Sequence, residues 1–285
     1  MWALLSFALK QGFSRASPQT LSWFRLFSSG LGLLLFYLSH PNRRSFVTHS
    51  RWLSHLRFPV LLAAFGLAFN YVGYAIGLRY TSPGNAQMLI QTGPFLTTLF
   101  AFLLGIEKGS RYTVGGFIIA VTGFALFYRD QMGIFVKNIS DLEAGSLWIL
   151  GASASWAMWA LIQKQYTKKY KLSPWDLNLL IWLICAIMLF PWANPGEIFH
   201  FNDIEGVLLL TFLSLNTLIA YGAYTLAYLY APTPVVNLVV SLNPLLVFSL
   251  SPDQVGITGW LGGLLVLAGL VVTLWPSWKK IFSKG

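Results

Sequence analysis

Ten times along this chain, a mainly apolar run gives way to a short stretch of Pro, Gly, Ser, Asn and charge. A bilayer core takes about 20 apolar residues per helix, and a helix satisfies every backbone N–H and C=O within its own segment. The runs are 2–14, 18–38, 58–78, 83–104, 112–128, 145–163, 174–192, 206–229, 234–250 and 256–275. They predict an all-α integral membrane protein with ten transmembrane helices. The balance of 56% hydrophobic to 10% charged residues sets it apart from a soluble domain, which carries about 25% charged residues. The first run is short, as a start upstream of Met1 would make it. It lacks the basic leader and small-residue cleavage site of a signal peptide, so it counts as a span.

A formal charge of +10 would suit a nucleic-acid binder if the basic residues were clustered, but they lie in short loops between the spans. On one side fall thirteen: Arg43, Arg44, Arg51, Arg57, Lys108, Arg111, Lys164, Lys168, Lys169, Lys171, Lys279, Lys280 and Lys284. The other side has four, Arg15, Arg79, Arg129 and Lys137. The excess of Lys and Arg on cytoplasmic loops puts both termini in the cytoplasm, as an even number of spans requires. Trp148, Trp175, Trp192, Trp260, Trp275 and Trp278 fall near span ends, where an interfacial aromatic belt belongs.

The spans repeat. "WALLSFALKQ" at 2–11 recurs as "WAMWALIQKQ" at 156–165, with Trp2 on Trp156 and Lys10 on Lys164, both 154 positions apart. "SPQTLSWF" from Ser17 corresponds to "SPWDLNLL" from Ser173. Tyr74, Tyr80 and Pro94 fall on Tyr224, Tyr230 and Pro244 at an offset of 150, and Gly116 and Gly123 on Gly262 and Gly269 at 146. The chain therefore divides into a five-helix repeat at 1–128, a polar linker at 129–144, a second repeat at 145–275 and a basic cytoplasmic tail at 276–285. Five is odd, so the second copy starts from the opposite face and the halves are inverted. Inverted repeats are an architecture of secondary transporters, with the substrate site near mid-membrane between the halves.

The order "W…K", "SP…R", "YTSPGNAQMLIQTGPFLTTLFAFLLGIE" and "GGFIIAVTGFALF", recurring over 145–275, resembles the EamA-type permeases of the drug/metabolite transporter superfamily. That resemblance implies a ten-helix permease of a bacterial-type inner membrane, exporting small metabolites, amino acids or drugs from a central cavity. One feature departs from it. Pro94 precedes Gly116 by 22 positions, whereas Pro244 precedes Gly262 by 18, so the second half lacks about one helical turn and with it the counterpart of Glu107. "SLSPDQVG" then makes a tight outer turn.

Candidate cavity residues come from polar and aromatic side chains at helical spacing. Gln87 and Gln91 share a helix face, and Asn237 and Ser241 occupy the equivalent positions. Pro94, after Gly93, and Pro244, after Asn243, each free a carbonyl, at Ile90 and Val240, and mark a kink or hinge. Arg25 sits about seven residues into its span without a neutralising neighbour one turn away, and an intramembrane Arg is a functional-site hypothesis by default. Its repeat counterpart is Ile181. Asn70, Tyr71, Tyr74, Asn178, Asn216, Tyr221 and Tyr224 are further candidates, with Trp156 and Trp159 as aromatic wall. Lys10 and Lys164 end the opening helices of the two halves, near the outer and cytoplasmic surfaces, where each snorkels to its interface or serves in gating.

Every Asp and Glu falls in a loop or at a helix end, so no carboxylate supplies the usual mid-membrane proton relay. Cys185 is the sole cysteine and all four histidines lie in loops. The sequence thus implies no metal, no cofactor and no catalytic residues, and no HExxH, GxSxG or Walker A pattern points to an enzyme. The expected partners are a small-molecule substrate and the lipid bilayer, with no nucleic acid, and a homodimer is left open. A flippase for an amphipathic lipid precursor is the alternative reading of the same fold.

Overall fold

Helix starts in this chain are set by caps that the sequence places ahead of each apolar run. Ser17 accepts from Thr20 N at 3.3 Å, Ser82 from Asn85 N at 3.2 Å and Asp203 from Gly206 N at 2.8 Å. Pro18, Pro83 and Pro174 each occupy a first turn, where the missing N–H costs least. A computed structural model describes residues 1–48, 54–135, 139–249 and 256–282, and among these there are helices and no strands.

The first half comprises α1 (Trp2–Gly12), α2 (Pro18–Ser39), a loop helix α3 (Pro41–Thr48), α4 (Phe58–Tyr80), α5 (Pro83–Ile90), α6 (Thr92–Leu103) and α7 (Arg111–Phe135). The second comprises α8 (Ile139–Tyr170), α9 (Pro174–Leu189), α10 (Ile204–Leu215), α11 (Gly222–Tyr230), α12 (Thr233–Val240), α13 (Asn243–Ser249) and α14 (Ile257–Phe282). Among the described residues, six helical runs are long and apolar enough to cross a membrane. They are Pro18–Ser39, Phe58–Tyr80, Pro83–Leu103, Ala144–Tyr170, Pro174–Trp192 and Ile204–Tyr230, and the stretches Arg111–Leu126, Thr233–Val247 and Ile257–Thr273 are shorter apolar helices.

Two expected spans are broken in the middle. The run 83–104 divides at Gln91 into α5 and α6, and the run 234–250 divides after Val240 into α12 and α13. Pro94 and Pro244 cause both breaks, since a proline cannot bond the carbonyl four residues earlier and its ring crowds it. In the second break the Asn243 side chain donates to Val240 O at 2.8 Å and caps the freed carbonyl. A third irregularity has no proline behind it: Asn216–Tyr221 forms a π-helical turn between α10 and α11.

Helical backbone also extends into the expected linker, through Phe135 and again from Ile139, and into the basic tail as far as Phe282. Residues 250–255, which hold most of the expected tight outer turn, lie outside the described residues.

Small residues bring the helices together. A Cβ on Gly116 would lie 2.5 Å from Gly269 O, and one on Gly123 would lie 2.5 Å from Gly262 O, so α7 and α14 cross with their backbones in contact. Such close approach is how helices associate in lipid, where apolar burial gives no drive between them. The outward surface is apolar: Ile187, Leu147, Leu103 and Leu208 are all well exposed, as side chains facing acyl chains are.

Candidate functional site

A narrow cavity of about 50 Å³ is lined by residues from both halves of the chain. From the first half α1 contributes Trp2 and Leu5, α2 contributes Arg25, and α4 contributes Asn70, Tyr71 and Tyr74. The broken α5–α6 helix adds Gln87, Ile90, Gln91 and Pro94. The second half supplies Trp156 from α8, Tyr221 from the π turn, and Val240 and Asn243 at the α12–α13 break. Both helix breaks thus open onto the same space, which is where irregular backbone is tolerated at membrane depth.

The walls are aromatic. Trp2 meets Trp156 edge-on with ring centroids 5.3 Å apart, and Tyr221 at 5.4 Å. Trp159, fully buried, stands behind Trp156 at 5.3 Å.

Polar groups around the cavity fall into two sets. The first is internally satisfied. Gln87 Nε2 donates to Tyr74 Oη at 3.1 Å and to Trp2 O at 3.0 Å, and Asn70 Nδ2 donates to Ala152 O at 2.9 Å. Asn237 is a hub: its Oδ1 takes the Tyr224 and Tyr228 hydroxyls at 3.1 and 2.6 Å, and its Nδ2 donates to Pro94 O and Thr98 Oγ1 at 3.0 and 2.9 Å. Trp156 Nε1 donates to Tyr224 Oη at 3.1 Å.

The second set has no protein partner. Arg25 is 2% exposed, and its Nε and Nη2 are buried without a hydrogen bond, as are Trp2 Nε1 and Gln91 Oε1. Both side-chain polar atoms of Asn216 are also buried and unpartnered, but Asn216 does not line the cavity. The Arg25 guanidinium lies over the Tyr71 ring, 4.3 Å from its centroid.

The other candidates lie outside the cavity wall. Asn178 is tied to Gln163 at 2.9 Å and to Thr225 at 2.8 Å, which satisfies it within the helix packing. Ser241 donates back to Asn237 O at 2.9 Å and, with Pro244, faces a separate small hollow. Gly93 packs against the α8 backbone, where an added Cβ would lie 3.1 Å from Ser153 O. Trp2, a wall residue, is one that site reasoning from sequence passed over, although its repeat position matches Trp156, which was nominated. The π turn had no signal in "NTLIAY".

Both ends of the bundle are pinned by polar contacts. At one end Lys164 pairs with Glu107 and donates to Thr233 Oγ1 at 2.8 Å, and Glu107 also accepts from Thr233 N at 3.1 Å. The Lys164 ammonium is held there instead of reaching into solvent, because a charge-assisted hydrogen bond outcompetes hydration at a half-buried site. The cluster borders a second, wider polar vestibule of about 550 Å³ that also includes Gln163, Lys168 and Tyr228. At the far end Lys10 donates to Arg79 O at 3.3 Å, Arg15 pairs with Asp203, and Ser17 N donates to Glu197 at 2.7 Å.

Burial tends to raise the Glu107 pKa, but the hydrogen bonds and charge from Lys164 and Thr233 outweigh it, and the net displacement is downward. A carboxyl with a depressed folded-state pKa stabilises the fold above its unfolded value and stops doing so as pH falls through the folded one. The melting temperature in detergent is therefore expected to hold from pH 8 to about 5 and to fall below about pH 4. Glu107→Gln is expected to lose on the order of 2 kcal/mol at pH 7 and to shrink the acid-side fall. An unchanged pH profile in that variant would separate Glu107 from the effect.

The EamA-like transporter family description matches residues 1–129 and 143–275. The chain is 28% identical over 299 residues to YhbE of Escherichia coli (strain K12), described as an uncharacterized inner membrane transporter, covering 98% of this chain and 91% of that one. It is 27% identical over 248 residues to an uncharacterized transporter of Haemophilus influenzae, covering 86% and 77%. A solved crystal structure at 14% identity superposes with a TM-score of 0.68 over 95% of this chain and 92% of the other, a likeness of fold alone.

Proposed function

The chain belongs to the EamA-like transporter family and is a multi-pass membrane protein. From that premise we propose that it exports a small organic molecule by alternating access between two inverted five-helix halves.

The crossing of α7 and α14 carries this reading. By the sequence repeat, Gly116 corresponds to Gly262 and Gly123 to Gly269. In space Gly116 meets Gly269 and Gly123 meets Gly262. A contact of one position with another that recurs with the two roles exchanged is the mark of a twofold relation. The two corresponding helices run antiparallel across it, which supports a relation in which one half is inverted on the other. The tyrosine–amide pairs agree: Tyr74 with Gln87 in one half, and Tyr224 with Asn237 in the other, each bonded at 3.1 Å. The proposed ten spans count α1 and the three shorter apolar helices together with the six long runs.

Alternating access needs two closures that are not open together. Glu107 of the first half with Lys164 and Thr233 of the second forms the cytoplasmic closure, and Arg15 and Ser17 with Asp203 and Glu197 form the outer one. The cavity lies between them, lined from both halves.

Two exposed helix starts test the topology, Phe58 on α4 and Ile204 on α10. With native Cys185 buried and silent, Phe58→Cys is expected to react with an impermeant maleimide only from the cytoplasm, and Ile204→Cys only from outside. Labelling of both from one face rejects the inverted arrangement. Protein-dependent efflux from proteoliposomes tests transport itself.

A further inference from the structure

Arg25 is the one side chain in the central cavity whose formal charge is left without an answer. Among the residues lining that space there is no Asp or Glu. The side chain is 2% exposed, with Nε and Nη2 buried and free of hydrogen bonds. Leaving a guanidinium at such depth with no counter-charge among its cavity neighbours is costly. A second vacant donor, the indole Nε1 of Trp2, belongs to the same wall. Gln91, also on the cavity wall, has its Oε1 unpartnered, and a half-turn of the amide presents its NH₂ instead.

Three unused polar groups line one aromatic-walled space: the donors Arg25, a fixed cation, and Trp2, and the amide of Gln91. We propose that Arg25 and Trp2 form the anchor for the carboxylate of the transported molecule, a small organic monoanion with a flat apolar body. Arg suits this because its planar fork matches a carboxylate's two oxygens, and Tyr71 under the guanidinium fixes the plane of that fork. Trp156 and Tyr221, set edge-on to Trp2, offer flat faces to the body of the ligand. The charge fits the repeat as well: Ile181 stands where a second Arg would be, so the cavity carries one cation and suits a single negative charge. The inference rests on the transporter reading for its biological sense, but the anchor itself is a binding site and is testable as one.

The test uses three probes with nearly the same body and different charge: phenylacetate, phenylacetamide and phenethylamine. Equilibrium binding to the purified full-length protein at pH 7.5 is expected to favour phenylacetate over the amide by at least about tenfold, the factor that one bidentate charged contact readily supplies. Arg25→Met is expected to abolish that preference while changing amide binding less than about twofold, and Arg25→Lys to keep part of it. The apo form of Arg25→Met is expected to melt no lower than wild type, because the variant removes an uncompensated charge. A guanidinium serving only as a clamp on Tyr71 would give a lower melting point and no change in preference.

If Arg25→Met does not insert, the wild-type charge series decides alone. Equal or tighter binding of the amide or the amine, or binding of none of the three, overturns the assignment. Flux separates the two readings. Protein-dependent efflux of amide or amine with no preference for the acid sinks the anchor and leaves the carrier, whereas selective acid binding without any flux sinks the carrier and leaves the anchor.

Discussion

Gly116→Val is expected to lower the melting temperature of the detergent-solubilised protein by roughly 6–10 °C, corresponding to about 3 kcal/mol of overpacking. The cause is direct. A Cβ at position 116 would lie 2.2 Å from Thr273 Oγ1, 2.5 Å from Gly269 O and 2.9 Å from Thr273 N. Two of the three obstacles are backbone atoms, which cannot rotate away, so α7 and α14 must separate. Separation removes the reciprocal contact at Gly123 and Gly262 on the same pair of helices, and the two ends of the interface fail together. Gly115, the adjacent residue, meets nothing within 4 Å of its added Cβ. Gly115→Val therefore serves as the control and is expected to melt close to wild type. Equal melting temperatures for the two variants would mean that the helices do not cross at this distance.

Asn237→Leu is expected to reduce protein-dependent flux more than tenfold and to cost about 2–4 kcal/mol of stability while leaving membrane insertion intact. Its amide joins four groups in a site that is 2% exposed: two tyrosine hydroxyls, the Pro94 carbonyl and the Thr98 hydroxyl. Leucine matches the volume and bonds none of them. Individual hydrogen bonds between membrane helices average only about 0.6 kcal/mol, so the expected size comes from stranding several groups at once. Function suffers beyond stability. The Pro94 carbonyl sits at the α5–α6 break, and Tyr224 in turn holds the indole of Trp156 in the cavity wall. Gln87→Leu, at the matching position of the first half, breaks only the bonds to Trp2 O and Tyr74 Oη and is expected to cost less. Flux measured with size-exclusion profiles separates lost transport from lost protein, and a fully active Asn237→Leu would remove the hub from the mechanism.

Those two variants also mark the boundary of what one-dimensional reasoning reaches. Gly116 and Gly123 were visible as repeat partners of Gly262 and Gly269, because a backbone crossing in lipid requires small residues at fixed spacing. That they meet with roles exchanged is a fact of three dimensions. Asn237 is a cavity candidate by its match to Gln87, yet it sits behind the wall, with the Tyr224 and Tyr228 hydroxyls, the Pro94 carbonyl and the Thr98 hydroxyl taking up its amide. Trp2 is not among the candidates drawn from the sequence, yet it lies on the cavity wall beside its repeat partner Trp156. The π turn at Asn216–Tyr221 packs against α1 and α2, partners that local propensity does not encode.

Apolar runs along the chain were enough to give the bilayer as solvent and the helical class, since both depend on the spacing of residues within single segments. The sequence also located the two proline breaks, because a missing N–H acts within one helical turn wherever the helix is placed. Only the tertiary structure decided which polar groups were consumed and which were left over. Glu107 reached Lys164 and Thr233 across the halves, while Arg25 was left with none of its cavity neighbours carrying an opposite charge. The physical reason is that hydrogen bonding saturates: a side chain's availability depends on every partner the fold brings within about 3 Å, and those partners come from distant parts of the chain.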